Sequence, residues 1–173
     1  MQVKHYSDPN WKGSKEKWVT GEVVSRARDK YVIACTDVLV TSGKRVLMIH
    51  RDIEPLKGQY CSIGGSWTPG LSPQESASKN FARETQFSID PNRLILLPYG
   101  FSFVFPIRHE APVENGRHDF TLMFGVKLEA DEYAALINAL MEEKMDRVCS
   151  WRWLSIADVR GLSEEGKIHQ GVV

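Results

Sequence analysis

The sequence predicts an α/β or α+β fold in which helices are layered on a mixed sheet, and three observations lead there. Apolar, β-branched runs come in pairs joined by short polar turns, as in YVIACTDVLV at 31–40 followed by RVLMIHR at 45–51. Two other segments, 72–89 and 131–144, carry apolar residues at helical spacing. The signals run in the order strands, helix, strands, helix, strand, short helix, so each apolar helix face has a sheet to cover.

Residues 1–17 read as a polar arm with Trp11 and Trp18 as anchors, and residues 18–173 as a single domain. TSGK at 41–44 is the turn between the first two strands. The loop DIEPLKGQ then leads to YCSIGG, which ends on Gly64 and Gly65. The helix from Ser72 to about Ile89 opens with Ser72 as N-cap, Pro73 in the first helical position and Glu75 at N3, a complete capping box. Ala77, Phe81, Thr85 and Ile89 recur every four residues and give it an inward face, and Asp90-Pro91-Asn92 stops it. LILLPYGFSFVFPI at 94–107 reads as two short strands bent at Pro98-Tyr99-Gly100, with DFTLMFGVKL at 119–128 as partner. Between them, Asn115-Gly116 signals a hairpin turn. Tyr133, Leu136, Ile137, Leu140 and Met141 form the stripe of the second helix, and VCSWRWL leads into a short capped helix at Ser155–Asp158.

A chain of 173 residues, 42% hydrophobic and 25% charged, suits one domain with a substantial core. Twenty-two Lys and Arg balance twenty-two Asp and Glu, so no global field draws nucleic acid or anionic lipid. No apolar run approaches the roughly 20 residues of a membrane helix, and MQVKHYSDPNWKGSKEKW lacks the apolar stretch of a signal peptide. Cys35, Cys61 and Cys149 are odd in number and form no Cys-x-x-Cys pair, so a reducing, cytoplasmic setting is the simplest expectation.

A glycine pair ahead of a capped helix lets backbone approach a phosphate and aims a helix N-terminus at it, although a plain turn accounts for the same residues. There is neither a Gly-Lys-Ser/Thr loop nor G-x-G-x-x-G. Farther along, Glu75 and Arg83 lie just over two turns apart, and Glu84 follows directly.

These residues resemble the Nudix hydrolase family, whose box reads G-x5-E-x7-R-E-U-x-E-E-x-G-U, with U aliphatic. Gly65 matches the first glycine, and Glu75, Arg83 and Glu84 match E-x7-R-E. YCSIGG is similar to W-x-x-P-G-G, VLMIHR to the strand ahead of it, and WRWLSIADV to the closing strand and helix. The likeness covers about 31–128 and 149–160. The box is degenerate: nine residues rather than five separate Gly65 from Glu75, Thr85 replaces an aliphatic residue, Phe87 and Ser88 replace the paired glutamates, and Asp90 replaces the last glycine. Aligning Gly70 with the glycine before the first acid instead puts Leu71 in that acid's place and moves the insertion into the helix.

The resemblance implies an α/β/α sandwich with a mixed central sheet, acting on a nucleoside diphosphate linked to another group such as a sugar or second nucleotide. It implies Mg²⁺ or Mn²⁺, weakly held if held at all, on the Glu84 carboxylate and the Gly65 carbonyl, with Glu84 and Arg83 catalytic. Glu110, Glu114 or Asp119 from the 108–119 loop, which also carries His109 and His118, would restore the lost oxygens. Arg51, Trp67 and Asp119 are the expected substrate contacts, and Ser72 and Glu75 the helix cap. The GDP-mannose hydrolase branch of the family also departs from the box and works with a reduced metal shell and attack at sugar carbon; its RWL is similar to Trp151–Leu154. The alternative is an inactive Nudix-like module that binds a nucleotide or a protein partner. A homodimer is allowed. Plainer roles stand beside these: Arg83 and Glu84 as surface charges, the 108–119 tip as a solvated loop, Trp67 and His50 as packing residues, Glu142 and Glu143 as an exposed face.

Overall fold

The structure, a computed structural model, describes residues 3–6, 20–142, 149–169 and 171. Its spine is β1 (Ile33–Ser42), the apolar run predicted at 31–40. Only its last residues, Val40–Ser42, pair with β2 (Arg45–Arg51). Earlier in β1, Cys35 to Val38 pair with β4 (Ile63–Ser66). Ile49 and His50 of β2 pair instead with β3 (Tyr60–Cys61), and the opposite edge of β2 carries β7 (Cys149–Ser155). β1 and β2 therefore splay apart, with β3, Ser62 and β4 threaded through the wedge. On the far side β1 runs parallel to β6 (Arg117–Lys127), and β6 is antiparallel to β5 (Ile95–Phe105). The sheet is mixed and seven-stranded.

Residues 94–107 do not form two strands. β5 is continuous, and the Pro98–Gly100 segment is absorbed as a register shift between Leu96 and Gly100. A bulge lets a strand bend without ending it, and proline is tolerated there because the ladder is already interrupted.

α2 (Pro73–Thr85) has the predicted cap: Ser72 Oγ accepts from the Glu75 amide at 3.2 Å, and Glu75 Oε2 from the Ser72 amide at 2.7 Å. Its inward face is as read, with Ala77, Phe81, Thr85 and Ile89 all buried. The helix is shorter than predicted, because Gln86 turns left-handed at φ 57° and closes it before Ile89. α2 lies on β1 and β4, where the Asn80 amide donates to Thr36 Oγ1 and to the Ser66 carbonyl, both at 3.1 Å. Phe81 packs in one core with Val38, Ile63 and Phe124, joined by Leu136 and Leu140 of α3 (Ala130–Glu142). α4 (Ile156–Glu164) covers the other face of β2, packing Val159 and Leu162 against Met48 and Leu154. Helices thus lie on both faces of the sheet, as an α/β/α arrangement requires.

One element was not anticipated. α1 (Gly21–Lys30) precedes β1, and Ser25 is its only buried residue. Polar contacts hold it. Arg108, fully buried, donates to Asp29 Oδ1 and to Ser25 Oγ, both at 2.7 Å, and to the Gly116 carbonyl at 3.1 Å. The 106–116 loop is consequently drawn onto α1. Asn115-Gly116 is no two-residue hairpin turn: Val113–Asn115 form a short 3₁₀ helix and Gly116 (φ 64°) ends it. Trp11, Trp18 and Glu143 lie outside the described residues, as do the side chains of Glu142 and Cys149.

Candidate functional site

The wedge between β1 and β2 opens as a cleft, and strand alternation decides what lines it. Asp37 is the register partner of Gly64, and Thr36 of Gly65, so Asp37 and Gly64 share one face of the sheet while Thr36 and Gly65 share the other. Any side chain at Gly64 would collide with the Asp37 carboxylate, so that glycine is a close-approach residue. Ser62, in the crossover from β3 to β4, donates to Asp37 Oδ2 at 2.7 Å. Burial nonetheless pushes Asp37 from 3.8 up to about 6, with the Ser62 hydrogen bond opposing the shift and the Asp119 charge adding to it.

Across β1, Asp119 and Thr121 of β6 face the same cleft. Arg117 Nε donates to Asp119 Oδ1 at 3.0 Å, and the two form an ion pair. Phe101, Phe103 and Phe105 of β5 stand opposite Thr121, Asp119 and Arg117. They make an aromatic shelf whose first two rings stack at 5.7 Å between centroids, 3° from parallel. The chain after α4 closes it: the Tyr60 amide donates to the Lys167 carbonyl and the His169 amide to the Tyr60 carbonyl, both at 2.8 Å, and the His169 ring centroid lies 4.3 Å from that of Phe103. Burial lowers the His169 pKa below its ordinary 6.5, so the imidazole is neutral at pH 7. Cys35, at the cleft floor, is raised to about 12 by burial and is an inert thiol. The cleft volume is about 150 Å³. That is smaller than the roughly 300–1,000 Å³ of an ordinary ligand pocket, so it would hold one moiety of a larger ligand.

The expected residues divide between this cleft and its rim. Arg51 and Asp119 line the cleft. Arg51 also braces the loop beside it, donating to the Pro55 carbonyl at 2.7 Å. Gly65 lines the cleft and abuts α2. Trp67 packs against the core and donates to the Leu71 carbonyl at 2.8 Å. Ser72 and Glu75 are occupied as the cap. On α2, Arg83 and Glu84 form an ion pair at 2.9 Å. Glu110 pairs with Arg28 of α1, and Glu114 lies in the 3₁₀ helix, so neither loop acid is folded over α2. Sequence reasoning missed Asp37, Ser62, Arg117, the phenylalanine shelf and His169 as site residues. Asp37 had a signal, being the one charged residue in YVIACTDVLV.

A layered mixed sheet with a glycine pair at a cleft and a capped helix behind it is the α/β/α arrangement that the sequence resemblance implied. The chain matches the NUDIX domain over residues 32–172, and it belongs to that family. Among solved structures it is similar to a NUDIX hydrolase from Nitrosomonas europaea at 15% identity and TM-score 0.56, covering 83% of this chain and 84% of that one. It is also similar to a MutT NUDIX hydrolase from Burkholderia pseudomallei at 14% identity and TM-score 0.56, covering 75% and 87%. A third, NrtR of Shewanella oneidensis bound to a 27mer DNA, aligns at 16% identity and TM-score 0.51 over 73% of this chain and 52% of its own. Identities this low establish a shared fold and leave activity to be argued from the site. No curated protein matches the sequence.

The residues present do not fit the divalent ion that the family implies. Among the described residues, no three His, Cys, Asp or Glu side chains converge into a metal-holding group. On α2 the Glu84 and Asn80 oxygens are turned to a cation the protein already carries: Arg83 Nε donates to Glu84 Oε1 at 3.0 Å and Arg83 Nη1 to Asn80 Oδ1 at 3.2 Å. A divalent ion about 5 Å from that guanidinium would meet a repulsion of about 2 kcal/mol even at the dielectric constant of water.

Proposed function

We propose that this chain is a Nudix-type hydrolase of a nucleoside diphosphate linked to a second group, a nucleotide sugar fitting the cleft best. The observation that carries this reading is geometric: Asp37, His169, Arg51 and Arg117 line one cleft beside the close-approach Gly64, and burial raises Asp37 to about 6 and lowers His169. Groups shifted toward neutrality and set beside a close-approach glycine are what acid–base work requires. His169 would take the proton of the attacking water. Asp37, ionised at pH 7, would steady positive charge on the sugar as its bond to the diphosphate lengthens. Arg51 and Arg117 line the same cleft as Gly64 and Gly65 and would meet the diphosphate from that side, and the Phe103–Phe105 shelf offers a stacking face to a base. Attack at sugar carbon, as in the GDP-mannose branch, would use the Asp37 carboxylate to steady the developing charge. Mg²⁺ or Mn²⁺ is no part of this chemistry, given the pairing of Glu84 with Arg83.

The test is a panel of nucleotide sugars and dinucleotides followed by phosphorus NMR in ¹⁸O-water, with EDTA or with Mg²⁺. Turnover of a nucleotide sugar with ¹⁸O in the sugar product is expected. No turnover across the panel would sink the hydrolase. A second reading, nucleotide binding without hydrolysis, draws support from the same Arg83–Glu84 pairing and would then be tested by calorimetry.

A further inference from the structure

We propose that Arg83 stands in the place of a divalent ion, a permanent cation that meets the diphosphate at the glycine pair. The inference rests on the nucleoside-diphosphate reading above. Its first support is position. A Cβ added at Gly65 would lie 2.8 Å from Arg83 Nη2 and 3.4 Å from the Asn80 amide, so the guanidinium is packed against the β4 backbone at the glycine pair. Its second is how the guanidinium is held. Glu84 and Asn80 fix it from two sides, while its side chain stays 55% exposed on the helix side of Gly65.

The end of α2 supplies a third, independent support. Gln86 takes the left-handed conformation (φ 57°) that glycine adopts without penalty. If Gln86 occupies the position of the last glycine in G-x5-E-x7-R-E-U-x-E-E-x-G-U, every spacing back to Gly65 holds with no insertion anywhere. Leu71, Lys79, Asn80, Phe81, Arg83, Glu84 and Phe87 then fall on E, R, E, U, E, E and U. In this register the aliphatic positions are the partly buried Phe87 and the fully buried Phe81, and Glu75 is a cap alone. Of the four acidic positions only Glu84 remains acidic, and the position beside it has become a base. A guanidinium offers planar, paired N–H donors to phosphate and needs no divalent ion to neutralise it.

The test uses the full chain, with GDP and ADP as probes, in calorimetry and manganese EPR. Wild type should bind a nucleoside diphosphate with the same affinity in EDTA and in Mg²⁺, and should leave added Mn²⁺ free. Arg83→Gln should weaken nucleotide binding by about tenfold or more, with Arg83→Lys recovering part of the loss. Arg83→Glu, which restores two adjacent carboxylates, should immobilise Mn²⁺. Thermal melts confirm that each variant is folded. Stoichiometric Mn²⁺ binding by wild type that vanishes in Glu84→Gln overturns the proposal, as does nucleotide affinity that EDTA abolishes. If wild type binds neither probe under any condition, the functional reading fails and with it the phosphate contact. The Mn²⁺ comparison between wild type and Arg83→Glu still decides whether the guanidinium fills the ion's place.

Discussion

The two faces of β4 handle charge in different ways. On the cleft face, Asp37 and His169 are shielded and each titrates away from its ordinary value, Asp37 upward and His169 downward. On the helix face, Arg83 and Glu84 lie 55% and 24% exposed and form an ion pair, with Arg83 also donating to Asn80. Burial disfavours charge and so creates acids and bases usable near neutral pH, whereas a partly exposed ion pair contributes little stability. The acid–base chemistry is therefore expected on the cleft side and fixed positive charge on the helix side, an inversion of what a box read for its glutamates suggests.

The sharpest way to break that contrast is to exchange which face matters. His169→Asn should lower kcat about 10²- to 10⁴-fold, the usual contribution of a general base, while Glu84→Gln should cost far less. If the Glu84 variant is the more damaged of the two in steady-state kinetics, the assignment of faces is wrong. A smaller effect is expected at the shelf. Phe103→Ala should raise KM by about tenfold with kcat little changed, since one aromatic stack contributes roughly 1–3 kcal/mol of binding. An equal fall in kcat would mean the ring also positions the reacting group.

The smallest effect concerns stability. Asp37 has a raised folded-state pKa, so between its unfolded value of 3.8 and about 6 the native state holds the extra proton. Its contribution is thus fully favourable below pH 3.8 and is lost as pH rises through about 6. Asp37→Asn should stabilise the protein at pH 8 by about 1–2 kcal/mol, reduced from the full linkage value because the cleft is open to solvent, and should gain nothing below pH 4. Chemical denaturation at the two pH values measures the difference, and a gain that is independent of pH would contradict the burial argument.

Much of the scaffold was readable because local patterns and tertiary burial agree in it. Ser72 and Glu75 cap α2, and Ala77, Phe81 and Thr85 fill the core from the face their spacing defined. α1 escaped notice because its attachment is polar: with Ser25 alone buried, no apolar period marks it. The end of α2 was overestimated because Ile89 keeps the four-residue spacing after the backbone has already turned at Gln86. The cleft was only partly legible. Asp37 announces itself as a lone carboxylate in an apolar strand, but His169 reaches Phe103 through the pairing of Ile168 with Tyr60, which no short-range pattern encodes. Strand alternation also hid the division of labour at the glycine pair, since neighbours in sequence face opposite sides.

The Arg108 anchor has a bearing on where this gene can be cut. The family match begins at residue 32, and α1 ends at Lys30, so a truncation at that boundary looks harmless on paper. It would remove Asp29 and Ser25 and strand a fully buried guanidinium, a loss on the order of 3–5 kcal/mol. The damage would travel, because Arg108 also grips the Gly116 carbonyl at the root of the strand that carries Arg117 and Asp119 into the cleft. A shortened chain starting at Tyr31 should melt far lower than one starting at Thr20 and should bind ligand poorly even where it folds. The helix outside the family boundary is, in working terms, part of the domain.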